Sequence, residues 1–215
     1  MKDKMNKIHN IDCLEFMKDV PDNYFDLVLT DPPYGINESG GKFRDRKGGG
    51  HRVLEKKHWD KETPSREVFE EIFRVSKNQI IWGGNYFGLK GGVIAWNKYG
   101  TAFGEGEIAI CSTHNSVRFF NYAWNGMIQG NMKNKEHRIH VTQKPVALYK
   151  WLLKNYGFNK DGSKRTILDT HGGSMSIAIA CHDMKFDLDL WELDEDYYKA
   201  GVKRYQQHIS QLQLF

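Results

Sequence analysis

Cysteine pairs, the H-E-x-x-H metal motif and long apolar runs are all missing from this chain of 215 residues. Each absence removes a class of protein. Cys13, Cys111 and Cys181 lie far apart with no C-x-x-C, so neither a disulfide framework nor a zinc knuckle is expected. The nine histidines form no H-E-x-x-H, and no metal is expected. No apolar segment approaches the roughly 20 residues that span a bilayer. The start "MKDKMNKIHN" lacks the apolar heart of a secretory signal, so a cytoplasmic protein without a membrane partner is expected. Neither G-x-G-x-x-G nor a P-loop lysine occurs, which speaks against a cradle for pyrophosphate.

What is present suits one domain over 1–215. At 40% hydrophobic and 13% aromatic, the chain can bury one good core but hardly two. Its net charge of +4 is unevenly spread. From Glu38 to Arg66 there are nine basic residues against five acidic, and from Asn131 to Lys144 four against one. The stretch 37–66, with "SGGKFRDRKGGGHR", reads as a long basic glycine-rich loop, and 131–144 as a second basic segment. Such loops suit a polyanion, because Lys and Arg contacts to phosphate supply most nucleic-acid affinity. A solvated surface insertion is the alternative.

Periodicity predicts alternating strands and helices. "KIHNI", "FDLVLT", "QIIWGG", "GVIAW", "EIAICS", "RTILDT" and "FDLDLWELD" read as strands. Helices fit "CLEFMKDV", "SREVFEEIFRVS", "PVALYKWLLKNYG", "SMSIAIACHDM" and the C-terminal segment. In the second helix Val68, Phe69, Ile72, Phe73 and Val75 are expected to share a face. In the last, Tyr198, Val202, Tyr205, Ile209 and Leu212 form a docking stripe. The sum is an α/β fold of βαβ units around a mostly parallel sheet covered on both sides. The alternation of Asp187 and Asp189 with leucines is unusual for a central parallel strand.

Two strand ends carry chemistry. In "LTDPPYGI" the prolines stop the strand, because proline offers no N–H to a ladder. Asp31 is therefore left at the strand's C-terminal end, where open parallel sheets bind ligands. A plain Pro-Pro turn capped by Asp is the competing reading. "ILDTHGGS" is a strand ending in Asp169 before a glycine turn, and "LWELDED" ends the next strand with Glu192 and Asp194. Glycine lets backbone approach a ligand, and an acid on the next strand accepts ribose hydroxyls, so a nucleoside with little or no phosphate is the expected ligand.

These segments resemble S-adenosylmethionine-dependent DNA amino-methyltransferases of the adenine-N6 type. "DPPY" at 31–34 is similar to the family's catalytic motif, "LDTHGGS" at 168–174 to its methionine-binding motif, and "HVTQKP" at 140–145 to the H-P-T-Q-K-P element. Catalytic motif first and cofactor motif late resembles the permuted β class, and almost the whole chain is covered. The resemblance implies a doubly wound, mostly parallel, seven-stranded Rossmann-like sheet with one antiparallel edge strand. It implies double-stranded DNA as partner, S-adenosylmethionine as cofactor, and no metal, and it leaves a homodimer open.

The resemblance also implies roles. Asp31, Pro32, Pro33 and Tyr34 are catalytic: the acid and the Pro32 carbonyl hold the amine, and the ring stacks the extruded base. Asp31 also borders the cofactor. Asp12 and Cys13 lie near its adenine, Asp169, His171, Gly172, Gly173 and Ser174 near its methionine part, Glu192 at the ribose, and Lys144 shapes the methionine end. A helix cap at Asp12, a buried thiol at Cys13 and a surface charge at Lys144 are the plainer alternatives. Two departures stand out: His171 replaces the usual Phe, and Met175 a frequent Gly. Charge and glycine content nominate Lys42, Arg44, Arg46, Lys47 and Arg52 for DNA contact, whereas Trp59, Trp96 and Trp124 read as packing residues. Cytosine-N4 methylation is the near alternative, and an inactive DNA-binding regulator the distant one.

Overall fold

The computed structural model describes residues 6–37, 57–101, 104–124 and 128–212, and the backbone of 41–43 and 52–54. In chain order the strands are β1 (Lys7–Asn10), β2 (Leu27–Thr30), β3 (Gly41–Phe43), β4 (Arg52–Leu54), β5 (Gln79–Trp82), β6 (Gly92–Thr101), β7 (Gly104–Cys111), β8 (Val117–Asn121), β9 (Ile167–Asp169) and β10 (Leu188–Glu192). The helices are α1 (Cys13–Met17), α2 (Arg66–Val75), α3 (Val146–Tyr156), α4 (Ser176–Met184) and α5 (Glu195–Leu212).

One sheet of eight strands runs in the order β1-β10-β9-β2-β5-β7-β6-β8. The first five are parallel, and β7 opposes both of its neighbours. The expected seven strands are therefore eight, and the antiparallel strand is interior, not an edge. The reason is β8, a short segment whose burial pattern is mostly exposed. It pairs parallel to β6 beyond the β6–β7 hairpin.

Alternation along the central strands feeds two cores. Leu27, Leu29 and Ile80 join α3 and α4 residues on one face, while Val28, Ile81 and Leu168 meet residues of α1 and α2 on the other. Helix α4 is buried from Ser176 to Cys181. Along α5, Tyr198, Val202 and Tyr205 pack on the first core as expected. Phe73 does not join the α2 face: it is 44% exposed, while Val68, Phe69, Ile72 and Val75 are buried. The acidic alternation in β10 also has a cause, since its neighbour β1 is an edge strand. Asp189 Oδ lies 3.8 Å from Lys7 Nζ and 3.7 Å from His9 Nε2 of that strand.

The basic stretch read as a loop contains paired backbone. Strands β3 and β4 form an antiparallel ribbon with Lys42 opposite Val53 and Phe43 opposite Arg52. Among the described residues no helix is long and apolar enough to cross a membrane.

Candidate active site

Strand register sets the site. Strands β10, β9 and β2 are adjacent, with Leu190 level with Asp169 and Val28 with Leu168. Glu192, Asp169 and Asp31 consequently end three neighbouring strands on one sheet edge. Crossing between β9 and β2, the Thr30 and Thr170 hydroxyls meet at 2.9 Å, and both approach His171 Nδ1, at 3.2 and 2.9 Å.

Asp31 is the centre of a dense polar cluster. Its Oδ1 accepts from the Tyr34 hydroxyl at 2.6 Å, and its Oδ2 accepts from Lys144 Nζ. The Tyr34 ring lies parallel to Tyr86 with centroids 5.0 Å apart. Lys144 is 3% exposed, so the plain surface-charge reading is excluded. Its second carboxylate partner is Glu107 of β7, at 3.0 Å. Glu107 in turn pairs with Lys98 of β6. Burial raises the Asp31 carboxyl against the pull of Lys144. Burial works against the Lys144 ammonium too, yet its two carboxylates hold its pKa above the ordinary value. At Glu107 the two ammoniums overcome burial and bring the carboxyl down to about 2.

The other two strand-end acids are less balanced. Asp169 is 1% exposed, accepts from the His171 N–H at 3.0 Å, and is pushed up to about 7 by burial. Glu192 accepts from the Gly173 N–H at 2.6 Å and the Asp194 N–H at 2.8 Å, and burial raises it as well. Gly172 packs where a Cβ would meet Leu190 at 2.2 Å, and Gly173 takes φ +49°. Met175 is fully buried with φ 58°. Its backbone is left-handed, the conformation that glycine tolerates best. Ser174 Oγ lies 3.1 Å from Ser176 Oγ. His171 is kept neutral, lowered to about 4 by burial.

Asp12 caps α1, accepting from the Leu14 and Glu15 N–H groups at 2.8 and 3.3 Å. Beside it lies an open depression of about 400 Å³ lined by Ile11, Asp12, Glu15, Phe16 and Asp19. Cys13 is half-buried, and its thiol is pushed up to about 12 by burial and the Asp12 carboxylate.

A strap that the composition did not reveal spans the row of acids. Asp60 accepts the Gly35 N–H at 2.9 Å, and Lys57 binds Asp194 at 2.5 Å and Asp196 at 2.8 Å. Between them Trp59 packs on His140 and Tyr197, in line with its expected packing role. Trp96 and Trp124 are buried. Of the nominated DNA residues, Arg44, Arg46 and Lys47 lie outside the described residues, and Lys42 and Arg52 are placed by backbone in the ribbon. In the second basic segment Lys133 and Lys135 are exposed, whereas Arg138 turns inward over the Trp124 ring at 5.7 Å. That segment therefore offers fewer outward charges than its composition suggested. Lys98 and Glu107 went unnoticed because each sits at the polar end of an apolar strand, with no motif around it.

No protein-family model matches the chain. It is 37% identical over 83 residues to the type II methyltransferase M.BglII of Bacillus subtilis, a match spanning 38% of this chain and 20% of that protein. It is 24% identical over 220 aligned positions to the putative methylase YubD of Escherichia coli K12, covering 93% of this chain and 90% of the other. Among solved structures, the complex of M1.HpyAVI with SAM superimposes with a TM-score of 0.56 at 17% identity, covering 93% of this chain and 100% of that one. The cytosine-N4-specific PvuII DNA methyltransferase does so at 0.58 and 10%, covering 97% and 93%. The chain thus has the fold of these methyltransferases.

Proposed function

We propose that the chain transfers a methyl group from S-adenosylmethionine to the N6 amine of adenine in double-stranded DNA. The observation that supports this most is the convergence of Asp31, Asp169 and Glu192 on one sheet edge, with Tyr34 and Lys144 bound to Asp31.

The residues present fit such a cofactor. Three carboxylates at successive strand ends favour a cationic ligand, and burial leaves Asp169 and Glu192 in want of one. Each Glu192 oxygen takes one backbone N–H, so lone pairs remain for ribose hydroxyls. The depression beside Asp12 offers space for the adenine end. When bound, S-adenosylmethionine supplies a methyl group made electrophilic by its sulfonium.

The chain's own residues prepare the acceptor. An exocyclic amine is a weak nucleophile while its lone pair is conjugated with the ring. Asp31 accepts one N–H and the Pro32 carbonyl the other, which favours tetrahedral nitrogen with the lone pair directed at the methyl group. Pro32 and Pro33 keep that carbonyl still. The base must leave the duplex, at a cost of a few kcal/mol. Tyr34 and Tyr86 form the aromatic platform that receives it, and Tyr86 is 50% exposed. The ribbon β3–β4 and its neighbouring basic residues, Lys42, Arg44, Arg46, Lys47 and Arg52, bind the DNA backbone.

Cytosine-N4 methylation is the second reading, favoured by the likeness to the PvuII enzyme. Asp31 supports adenine, since the related cytosine enzymes usually begin the motif with Ser. Incubating DNA with labelled cofactor and identifying the modified nucleoside by mass decides between them. N6-methyladenine is expected, and loss of transfer in Asp31→Ala with cofactor binding retained. Transfer at the normal rate by Asp31→Ala would refute the mechanism.

A further inference from the structure

Four charged side chains of alternating sign run from the site into the fold: Asp31, Lys144, Glu107 and Lys98. Lys144 Nζ touches Asp31 Oδ2 and stands 3.0 Å from Glu107 Oε2, while Glu107 Oε1 is held by Lys98. Around the ammonium lie the rings of Trp82 and Tyr34, at 5.2 and 5.6 Å, and no water-exposed route of escape is open to a side chain 3% exposed. Its choices are the two carboxylates. Yet both Asp31 oxygens are engaged in this structure, one by Tyr34 and one by Lys144. Each oxygen keeps a second lone pair, but an amine that shares it competes with Tyr34 or Lys144 for the charge of the acid.

We propose that Glu107 is a positioning residue of the methyl transfer: it is the second seat of Lys144, which swings toward Glu107 as the target amine takes its place on Asp31. The inference rests on the reading of Asp31 as the group that holds the amine. Lys98 keeps Glu107 fixed and ionised for this purpose. The shift also changes the chemistry of Asp31. With Lys144 bound, the carboxylate is a poor proton acceptor. With Lys144 drawn to Glu107, burial makes it a better one. As the C–N bond forms and the C–S bond breaks, one N–H proton of the amine passes to Asp31, and later to solvent.

Other titratable groups face this cluster. Tyr34 comes from the Asp31 turn, Tyr149 from α3 and Asp169 from β9; each interacts with the Asp31 charge. Arg138 acts on Glu107, and His140, lowered to about 3 by burial and then by Lys144, stays neutral. None of these lies within hydrogen-bond reach of Lys144 except Tyr34, at 3.3 Å. Glu107 is therefore the group able to take the ammonium from Asp31.

The test is a carboxyl-carbon NMR titration of Asp31 in the full chain, combined with pH profiles of kcat. In Glu107→Gln the ammonium stays on Asp31, so the Asp31 midpoint falls. There kcat drops roughly tenfold or more, the acid limb moves to lower pH, and KM for the cofactor stays within about twofold. In Lys98→Met, Glu107 leans on Lys144 alone and the Asp31 midpoint rises. Glu107→Asp, which keeps the charge, recovers part of the rate. Opposite movements follow from removing one negative and one positive charge nearby, so the rate carries the decision: a positioning role predicts the loss of kcat in Glu107→Gln and its partial return in Glu107→Asp. An active wild type whose kcat is unchanged by Glu107→Gln overturns this proposal alone. A wild type that methylates no DNA overturns the reading of Asp31 and the proposal with it.

Discussion

Gly83 and Tyr34 are in mutual contact so close that a β-carbon on the glycine would come within 2.2 Å of the tyrosine ring. Gly83 follows β5 with φ +65°, so an alanine there is both strained and obstructed. The ring it would push aside donates the 2.6 Å hydrogen bond to Asp31. Gly83→Ala is therefore expected to lower kcat about a hundredfold, by misplacing the groups that orient the amine. Its cost in stability should be about 1 to 3 kcal/mol. Urea unfolding and steady-state kinetics check the two separately. An unchanged kcat would mean that Tyr34 does not matter to Asp31.

The proposed place of Asp169 at the cofactor would link stability to ligand binding. Its carboxyl titrates at about 7 in the fold, against 3.8 for an ordinary aspartate. A raised carboxyl pKa means that the folded chain retains a proton the unfolded chain has lost. Stability from this group is therefore full below about pH 4 and declines as pH rises to about 7, by ~4 kcal/mol at most. Asp169→Asn should accordingly gain stability over the wild type above pH 7 and lose that advantage below pH 4. A cationic cofactor favours the ionised form, so wild-type affinity should rise through pH 7 and that of the Asn variant should not. Thermal unfolding and calorimetric titration across pH test both halves.

Much of this was legible in the sequence, and the parts that were not have separate causes. The proline pair after "FDLVLT" and the glycines after "ILD" marked where strands end. Three carboxylates could thereby be assigned to one sheet edge from local chemistry alone. Helix α5 was equally readable, because Tyr198, Val202 and Tyr205 repeat at helical spacing. Strand β8 was not, since Val117 and Phe119 are exposed at 55% and 63% and display no buried face. Long-range ion pairs were hidden for a different reason. Lys144 is far from Asp31 and Glu107 in the chain, while Lys98 and Glu107 meet across the β6–β7 hairpin, and only the register of β6, β7 and β5 brings that pair to the end of β2. The motif around Lys144 consequently gave no hint of its contacts with Asp31 and Glu107.

His140 should govern acid sensitivity. Burial, with Lys144 next, lowers its pKa to about 3. Its Nδ1 accepts from the Thr142 N–H at 3.3 Å, so the neutral ring is built into the fold. Below about pH 6.5 the unfolded chain gains a proton that the folded chain refuses, and stability falls until about pH 3. The loss should reach roughly 2 to 3 kcal/mol between about pH 6.5 and 4.5. His140→Asn, destabilised at neutral pH by lost packing on Trp59 and Tyr197, should close the gap with wild type as the pH drops. Parallel stability curves would show that His140 is not the acid-sensitive group.

The proposed DNA binding by the ribbon is tested through salt. Lys42 and Arg52 lie on the paired strands β3 and β4, with Lys42 opposite Val53 and Arg52 opposite Phe43. A cation that neutralises a phosphate releases a counterion, so each such contact contributes about −0.9 to the slope of log K against log salt. Removing both side chains, Lys42→Ala with Arg52→Ala, should reduce the slope by up to about 2 and weaken binding most at low salt. Lys133 and Lys135, which are exposed in the second basic segment, supply the comparison, for their removal should reduce the slope only if that segment also lies along the duplex. Because phosphate contacts carry no sequence information, the ribbon pair should weaken cognate and random duplexes alike. A loss confined to the cognate duplex, with the slope unchanged, would instead assign one of these side chains to a base edge.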